Sequence, residues 1–437
     1  MSFKQTILAG CAAVAFGVAG VSGALAQNLV ISNARIIDGT GQVIEHGAVV
    51  AKDGRIVSVS SGEAPKGASG VKIDAHGMTV MASFIDAHRH LFVGNPDAWL
   101  KDKAPAYMQS FLDAGFTTVF DMADDPKDIT ELKRRLNAGE IAGPTLYAVM
   151  VVPLAAGAGI GLPEPAYPSP PSPYTDPGRT DPARPPNRPV KAAPPIPDEQ
   201  TRAAVRAAKQ GGFDGIKTFM VSTPGGTEGH TLGVVVDEAH KQGLRVYTHA
   251  TAVPDTLAAV NAHVDVLAHT PHIGDLTQDQ AARERILAAH TPMVSTLGVF
   301  IPHFDDQNRP LYRDGGPFPM PQPLESGGQG PVNARVLWDG GQLYAYGTDT
   351  QWDPRVSLYD ELRALNLLFS PKDIIKIMGP NTAAAIDKSK DLGTLEPGKI
   401  ANIVLVDGDP MADVLNLTRV VVTIKDGKVV ADKRARK

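Results

Sequence analysis

Two histidines one residue apart close an apolar segment of the chain. His88 and His90 end the stretch 79–90, whose earlier residues are typical of a buried strand. Side chains at positions i and i+2 of a strand point to the same face, so the two imidazoles are expected side by side. Neutral imidazole is the commonest protein ligand for metals, and this pair therefore predicts part of a metal site. Two polar residues with ordinary hydrogen bonds at a strand end are the alternative.

Three later apolar segments also end in a potential metal ligand. These ligands are His249, His269 and Asp349. A lysine, Lys217, lies inside the short apolar segment 215–220, where burial is costly unless the amine is paired or chemically altered. Each signal is weak alone. Together with His88 and His90 they predict one site built from distant parts of the chain.

The middle of the chain alternates predicted strands with predicted helices. The strands are 79–88, 116–122, 144–152, 215–220, 245–250, 265–270, 292–297 and 343–349. The helices are 104–114, 127–138, 198–210, 230–242, 255–261, 278–289 and 357–368. This pattern predicts a (β/α)8 TIM barrel, in which catalytic residues sit at the C-terminal ends of the strands. A doubly wound open sheet is the alternative, but no glycine-rich phosphate turn follows the first strand.

Strand-like segments at both ends of the chain predict a second, smaller domain. Residues 27–80 and 388–437 are expected to pair into a small β-sandwich domain, and 81–387 to form the barrel. Two insertions interrupt the barrel, a proline-dense one at 161–197 and one at 301–333. Both leave the C-terminal ends of strands, so we expect them over the barrel mouth, where long loops often cover substrate.

The start of the chain has the features of a secretory signal. Lys4 precedes a mostly apolar stretch, and Ala24-Leu-Ala26 resembles a cleavage site, so residues 1–26 are predicted to be removed and the protein to reach a bacterial periplasm. Lipoprotein processing at Cys11 is the alternative. Cys11 is the only cysteine, so cleavage after Ala26 leaves no disulfide or thiolate metal site. No membrane association is expected after cleavage.

The composition excludes some partners. The net charge is −5, the pI is about 6.2, and basic residues cluster only in the last few positions. A nucleic-acid binder is therefore not expected. A small-molecule substrate is expected instead, and a homo-oligomer is compatible with the sequence.

These residues and their spacing resemble the metal-dependent amidohydrolase superfamily, near its imidazolonepropionase-related and Xaa-Pro dipeptidase-like branch. The resemblance covers nearly the whole mature chain, and the segment Gly393–Asp407 also resembles that superfamily's return into its small β domain. It implies two divalent cations, with zinc the usual metal. It also implies that Lys217 is carboxylated and bridges them.

The resemblance assigns the remaining ligands to the two cations. His88, His90 and Asp349 would hold the more buried one, and His249 and His269 the other. If Lys217 instead snorkels or pairs with a barrel carboxylate, the site would be mononuclear.

The sequence departs from the family pattern in two places. The usual Pro-Gly of the first strand is Ala82-Ser83. The Gly-Gly-His segment that follows the third strand in peptidase-like relatives is replaced by Val152–Gly159, which contains no histidine. Specificity for proline dipeptides is therefore not expected.

A few other polar residues lie near the predicted site. Tyr247 shares a strand face with His249 and would either line the pocket or pack, while His272 would contact substrate or lie in a loop. Asp121 and Asp124 close the second strand and are interpreted as structural.

The ligand set predicts a hydrolase that uses a metal-bound hydroxide, with Asp349 as general base. The expected reaction is cleavage of an amide-type C–N bond in an N-acyl amino acid, a hydrophobic dipeptide or a carbamate-like small molecule. A lactone or ester hydrolase is the alternative, since the same nucleophile attacks either carbonyl. A non-catalytic exported binding protein is a third possibility, because fold alone does not settle function.

Overall fold

The computed structural model describes residues 28–156, 194–223, 225–300 and 324–434. The predicted signal peptide, most of the insertion 161–197 and residues 301–323 therefore lie outside the described residues. Within the described part of the chain, no helix is long and apolar enough to cross a membrane.

Strands and helices are numbered in chain order. The strands are β1 (Leu29–Ile37), β2 (Val43–Lys52), β3 (Arg55–Ser61), β4 (Val71–Asp74), β5 (Thr79–Ala82), β6 (Phe84–Arg89), β7 (Phe116–Asp121), β8 (Thr145–Val151), β9 (Gly215–Phe219), β10 (Arg245–His249), β11 (Val266–Leu267), β12 (Met293–Val294), β13 (Tyr344–Ala345), β14 (Ile403–Val406), β15 (Val420–Lys425) and β16 (Lys428–Asp432). The helices are α1 (Pro96–Asp102), α2 (Ala104–Asp113), α3 (Pro126–Asn137), α4 (Asp198–Gln210), α5 (Glu228–Lys241), α6 (Val253–Asn261), α7 (Gln280–Ala288), α8 (Leu324–Asp339), α9 (Pro354–Asn366), α10 (Pro371–Lys376) and α11 (Thr382–Ala385).

Strands β6 to β13 form the predicted barrel. All eight pair in parallel and in sequence order. Hydrogen bonds then join the last strand to the first, since Ala87 N–H donates to the Tyr346 carbonyl (3.1 Å) and Asp349 N–H to the His88 carbonyl (2.8 Å). Helices follow most strands, as the alternating pattern predicted. The (β/α)8 prediction is confirmed.

Several helices around the barrel begin with local signals that the sequence carries. Asp125 caps α3 and Asp353 caps α9, each accepting a backbone N–H of the first turn, and a proline stands at the start of both helices. A capping carboxylate satisfies a donor that has no partner within the helix, and proline needs none. Because of these signals, α3 begins soon after β7 and α9 soon after β13, and the loops between them at the barrel mouth are short.

The two ends of the chain pair into one sheet, as predicted. Strands β1–β5 and β14–β16 form an eight-stranded mixed sheet with its own buried apolar core. Strand β5 connects the two ends because it pairs in parallel with β1 on one side and antiparallel with β14 on the other.

The predicted strand 79–88 is in fact two strands. Residues Thr79–Ala82 belong to the terminal sheet, and the barrel begins only at Phe84. Both edges of β5 are occupied by β1 and β14, so it cannot also pair in the barrel. Ser83 N–H, between the strands, donates to the Asn402 carbonyl (3.0 Å). Apolar periodicity could not show this break, because both strands are buried.

The second insertion is shorter than predicted. Helix α8 begins at Leu324, inside the segment 301–333, despite its glycines and Pro331. Its Asn333 is fully buried, and the side-chain amide donates to the carbonyls of Pro271 and Gly274. This tertiary anchoring, together with the buried Leu337, outweighs the low helix propensity of the glycines and proline.

Candidate metal centre

The structure brings all six predicted ligands together at one end of the barrel. They come from β6, β9, β10 and the segments after β6, β11 and β13, and they are His88, His90, Lys217, His249, His269 and Asp349. Five of them stand at or just beyond the C-terminal end of a strand, where parallel strands present their residues to a common mouth. Lys217 lies in the middle of β9 and is fully buried.

Asp349 contacts both histidines of the first pair. Its Oδ1 lies 3.2 Å from His88 Nε2 and 3.0 Å from His90 Nε2. The carboxylate is buried, and its backbone has a φ of 51°, which is rare for a residue with a side chain. The two imidazoles therefore lie on the same side of the strand, as their i, i+2 spacing predicted, and both contact the same carboxylate oxygen.

The second pair of histidines adjoins the first. His269 Nδ1 lies 3.8 Å from Asp349 Oδ2, and His269 Nε2 lies 2.7 Å from His249 Nδ1. Ligand atoms of His88, His269 and Asp349 all lie within 4.8 Å of one another. This spacing is compatible with a common cation.

Lys217 reaches the same cluster from β9. Its Nζ lies 3.4 Å from His88 Nε2, and the Phe219 ring lies beside it, with the centroid 5.4 Å away. Burial lowers the pKa of Lys217 to about 8, against the opposing charges of Asp349 and Asp121. A fraction of the amine is therefore neutral near physiological pH.

The protonation states suit a metal. Burial, reinforced by the charge of Lys217, lowers the pKa of His88 to about 4, and burial holds the pKa values of His249 and His269 well below the usual range. Burial alone would raise the pKa of Asp349, but its histidine neighbours hold that pKa well below normal. Neutral imidazoles and an ionised carboxylate are the forms that bind cations, so the donor set fits divalent metal.

Two further contacts orient the imidazoles. His88 Nδ1 lies 3.0 Å from the Ala268 carbonyl, which can only accept, so this nitrogen donates and Nε2 is left without a hydrogen, facing Asp349 and Lys217. His269 Nδ1 lies 2.9 Å from Thr296 Oγ1. Such partners of ligating histidines fix the ring and the tautomer.

Asp121 and Asp124, which the sequence analysis interpreted as structural residues, lie next to the predicted ligand His90. Ligand atoms of these two carboxylates and of His90 lie within 4.8 Å of one another. They also have the expected structural contacts, because Asp121 accepts the Asp124 N–H (3.2 Å) and Asp124 accepts the Leu91 N–H (2.6 Å). Burial, then the neighbouring Asp124 charge, raises the pKa of Asp121. The signal in the sequence that could have placed Asp121 near the site was its position at the end of a predicted barrel strand.

The two residues predicted to contact substrate are both buried. The Tyr247 ring packs 5.7 Å from Phe120 and against the backbone of Gly215, within the apolar layer inside the barrel. These contacts favour the packing interpretation. His272 is 5% exposed and lies beside Gly330 of α8, and burial lowers its pKa to about 4. Its contact with substrate stays a prediction.

Two charged residues of β6 have a role that sequence analysis missed. Asp86 and Arg89 are fully buried, and both hydrogen bond to the segment that carries Asp349. The available signal was two opposite charges inside an apolar strand, where burial requires a partner.

Comparisons with known proteins agree with this fold. The sequence matches the model of the amidohydrolase family over residues 79–430. It is 24% identical over 179 residues to the imidazolonepropionase of Thermoanaerobacter pseudethanolicus (strain ATCC 33223 / 39E), covering 40% of this chain. The alignment spans 36% of that protein, so the chain matches about a third of its length.

Two solved structures share the fold across almost the whole chain. A Xaa-Pro dipeptidase with bound methionine superposes with a TM-score of 0.70 at 22% identity, covering 92% of this chain and 99% of that one. The A. niger ochratoxinase superposes with a TM-score of 0.69 at 19% identity, covering 93% and 96%. The family match covers most of the sequence, including every predicted ligand, and the chain therefore belongs to the amidohydrolase family.

Proposed function

We propose that the protein is an exported metal-dependent hydrolase that cleaves an amide-type C–N bond in a small molecule. The observation that carries this proposal is the contact of one buried carboxylate, Asp349, with His88 and His90 at the end of β6 and with His269 after β11. Burying this much polar surface without a cation would be costly. The family supports hydrolysis, and its relatives include an imidazolonepropionase and a Xaa-Pro dipeptidase.

The ligands divide between two cations, for which zinc is our first candidate. His88, His90 and Asp349 would hold one, and His249 and His269 the other. Lys217, carboxylated on its partly neutral amine, would bridge them. Bound divalent cations would lower the pKa of a water molecule and polarise the scissile carbonyl.

The protein's own residues would move the protons. Asp349 is ionised, and it would take a proton from the attacking water and deliver it to the leaving nitrogen. Its φ of 51° and its contacts with His88 and His90 fix the carboxylate before substrate arrives. Preorganised groups of this kind need no rearrangement during the reaction.

We propose a chemical class for the substrate rather than a single compound. N-acyl amino acids, hydrophobic dipeptides and carbamate-like compounds all offer a carbonyl bonded to nitrogen. The segment after β8 has no histidine at Val152–Gly159, so we do not extend the proposal to proline dipeptides.

The proposal is tested with the mature protein and matched substrate panels. Purified protein beginning at residue 27 is assayed on amides and on esters of the same acyl groups, with and without a metal chelator. The proposal expects amide hydrolysis that chelator abolishes and zinc restores. Hydrolysis of esters alone would replace it with an ester or lactone hydrolase, and binding without turnover would replace it with a binding protein.

Export is tested separately. Residues 1–26 are proposed to be a cleaved signal that directs the protein to a bacterial periplasm. N-terminal sequencing of the protein from a periplasmic fraction should begin near residue 27. A lipid-modified Cys11, or an intact Met1 in the cytoplasm, would contradict this part of the proposal.

A further inference from the structure

A buried charged pair of β6 holds the segment that carries Asp349. Arg89 is 0% exposed, although arginine is among the residues least often buried. Its Nη1 donates to the hydroxyl of Thr348 (2.9 Å) and to the hydroxyl of Thr350 (2.7 Å). These two threonines flank Asp349, so one guanidinium nitrogen contacts the chain on both sides of it.

The carboxylate of Asp86 binds the same segment through its acceptor oxygens. Its Oδ1 accepts the backbone N–H of Thr348 (3.1 Å) and that of His88 (3.2 Å), and its Oδ2 accepts the Thr348 hydroxyl (2.8 Å). The Thr348 hydroxyl therefore donates to Asp86 and accepts from Arg89. Asp86 thus connects the backbone of the predicted ligand His88 to Thr348, the residue before Asp349.

The second terminal guanidinium nitrogen, Nη2, anchors the arrangement to the rest of the barrel. Arg89 Nη2 donates to the Tyr107 hydroxyl of α2 (2.9 Å) and to the Trp352 carbonyl. Tyr107 in turn donates to the carbonyls of Gln351 and Trp352 (3.0 Å each). Every bond of this network ends on the segment 348–352, on β6 or on α2.

The conformation of Asp349 explains why such a network is needed. Its φ of 51° is an unfavourable backbone conformation for a residue with a side chain, and it persists only where the surroundings fix it. Its neighbours Thr348 and Thr350 are each held by Arg89, and its own N–H donates to the His88 carbonyl (2.8 Å).

We propose that Asp86 and Arg89 are positioning residues that keep Asp349 in this conformation, so that its carboxylate faces His88 and His90. The effect on metal binding and turnover rests on the proposed function. The effect on the Asp349 backbone does not, since it follows from the hydrogen bonds alone.

The sharpest test compares two substitutions at Thr348. Thr348→Val keeps the side-chain volume but removes the hydroxyl that Asp86 and Arg89 share, whereas Thr348→Ser keeps that hydroxyl. In crystal structures, we expect the φ angle of Asp349 to leave the positive region in Thr348→Val and to stay there in Thr348→Ser. Zinc affinity, measured by competition with a chelating dye, should fall on the order of 10–100-fold in Thr348→Val and be retained in Thr348→Ser.

A second comparison tests Arg89 itself. Arg89→Met removes the guanidinium with little loss of stem volume. Its control is Arg355→Met, because Arg355 lies just beyond the same segment, is exposed, and hydrogen bonds to Asp353 rather than to the threonines. We expect lower zinc affinity in Arg89→Met and wild-type affinity in Arg355→Met.

The outcomes separate the two proposals. An unchanged Asp349 backbone and unchanged zinc affinity in Thr348→Val would overturn the positioning role. If the wild-type protein binds no divalent cation, the proposed function fails, and the Asp349 torsion in the two Thr348 variants still decides the positioning role.

Discussion

Asp349 and His88 contact each other twice, although they come from opposite ends of the barrel's strand order. The Asp349 N–H donates to the His88 carbonyl (2.8 Å), and Asp349 Oδ1 lies 3.2 Å from His88 Nε2. The backbone contact joins the chain after β13 to β6, so the same pairing that closes the barrel also assembles the candidate metal centre. Loss of this closure would separate the ligands.

The first prediction concerns the carboxylate of Asp349. Asp349→Asn should lower kcat/KM by about 10²–10⁴-fold, because a neutral amide cannot accept the proton of the attacking water. The control is Asp353→Asn in the same segment, where the side chain caps α9 by accepting the Arg355 N–H and pairs with the Arg355 guanidinium. Steady-state kinetics of both variants check the prediction, and equal rates would argue against Asp349 as the base.

The second prediction concerns the amine of Lys217. Lys217→Met keeps the stem of the side chain but cannot be carboxylated, so it should bind less than the wild-type amount of metal. Wild-type protein equilibrated with ¹³C-bicarbonate and zinc should give a carbamate carbon resonance that Lys217→Met lacks. Lys241→Met, on the exposed face of α5 beside Asp237, is the control. A variant with full metal content and full rate would refute the bridging role.

The third prediction is a pH dependence of stability in metal-free protein. Burial lowers the pKa of His88 to about 4 in the folded protein, whereas it is near 6.5 in the unfolded chain, so the unfolded state binds more protons between these pH values. Its contribution is therefore complete above pH 6.5 and is lost as the pH falls toward 4, by about 3 kcal/mol. Urea unfolding at several pH values measures this loss, which should shrink in His88→Asn. A free energy of unfolding that stays constant across this range would contradict the prediction.

The fourth prediction concerns Thr296, which contacts a predicted ligand without being one. Thr296→Val removes the hydroxyl that lies 2.9 Å from His269 Nδ1, and zinc affinity should fall about 10–100-fold. The control is Thr201→Val on α4, a buried threonine whose hydroxyl has no hydrogen-bond partner among the described residues. Similar zinc affinities in the two variants would show that the Thr296 contact does not orient His269.

The ligands were predictable because strand ends are visible in sequence. His88, His249 and Asp349 each follow an apolar run, and the barrel topology then forces such residues toward one mouth. The break at Ser83 was not predictable, because two consecutive buried strands carry the same apolar pattern. Nor were the roles of Asp86 and Arg89, since their partners depend on how the segment after β13 meets β6.

The number of cations that the native protein binds is the most direct measure of the proposed metal centre. Metal analysis of mature wild-type protein, purified without chelator and dialysed against metal-free buffer, measures this number. We predict two divalent ions per chain, and the same number in the control His230→Asn, whose histidine pairs with Asp198 on the surface. A wild-type protein that retains no divalent ion, and takes up none from added zinc, would contradict the account.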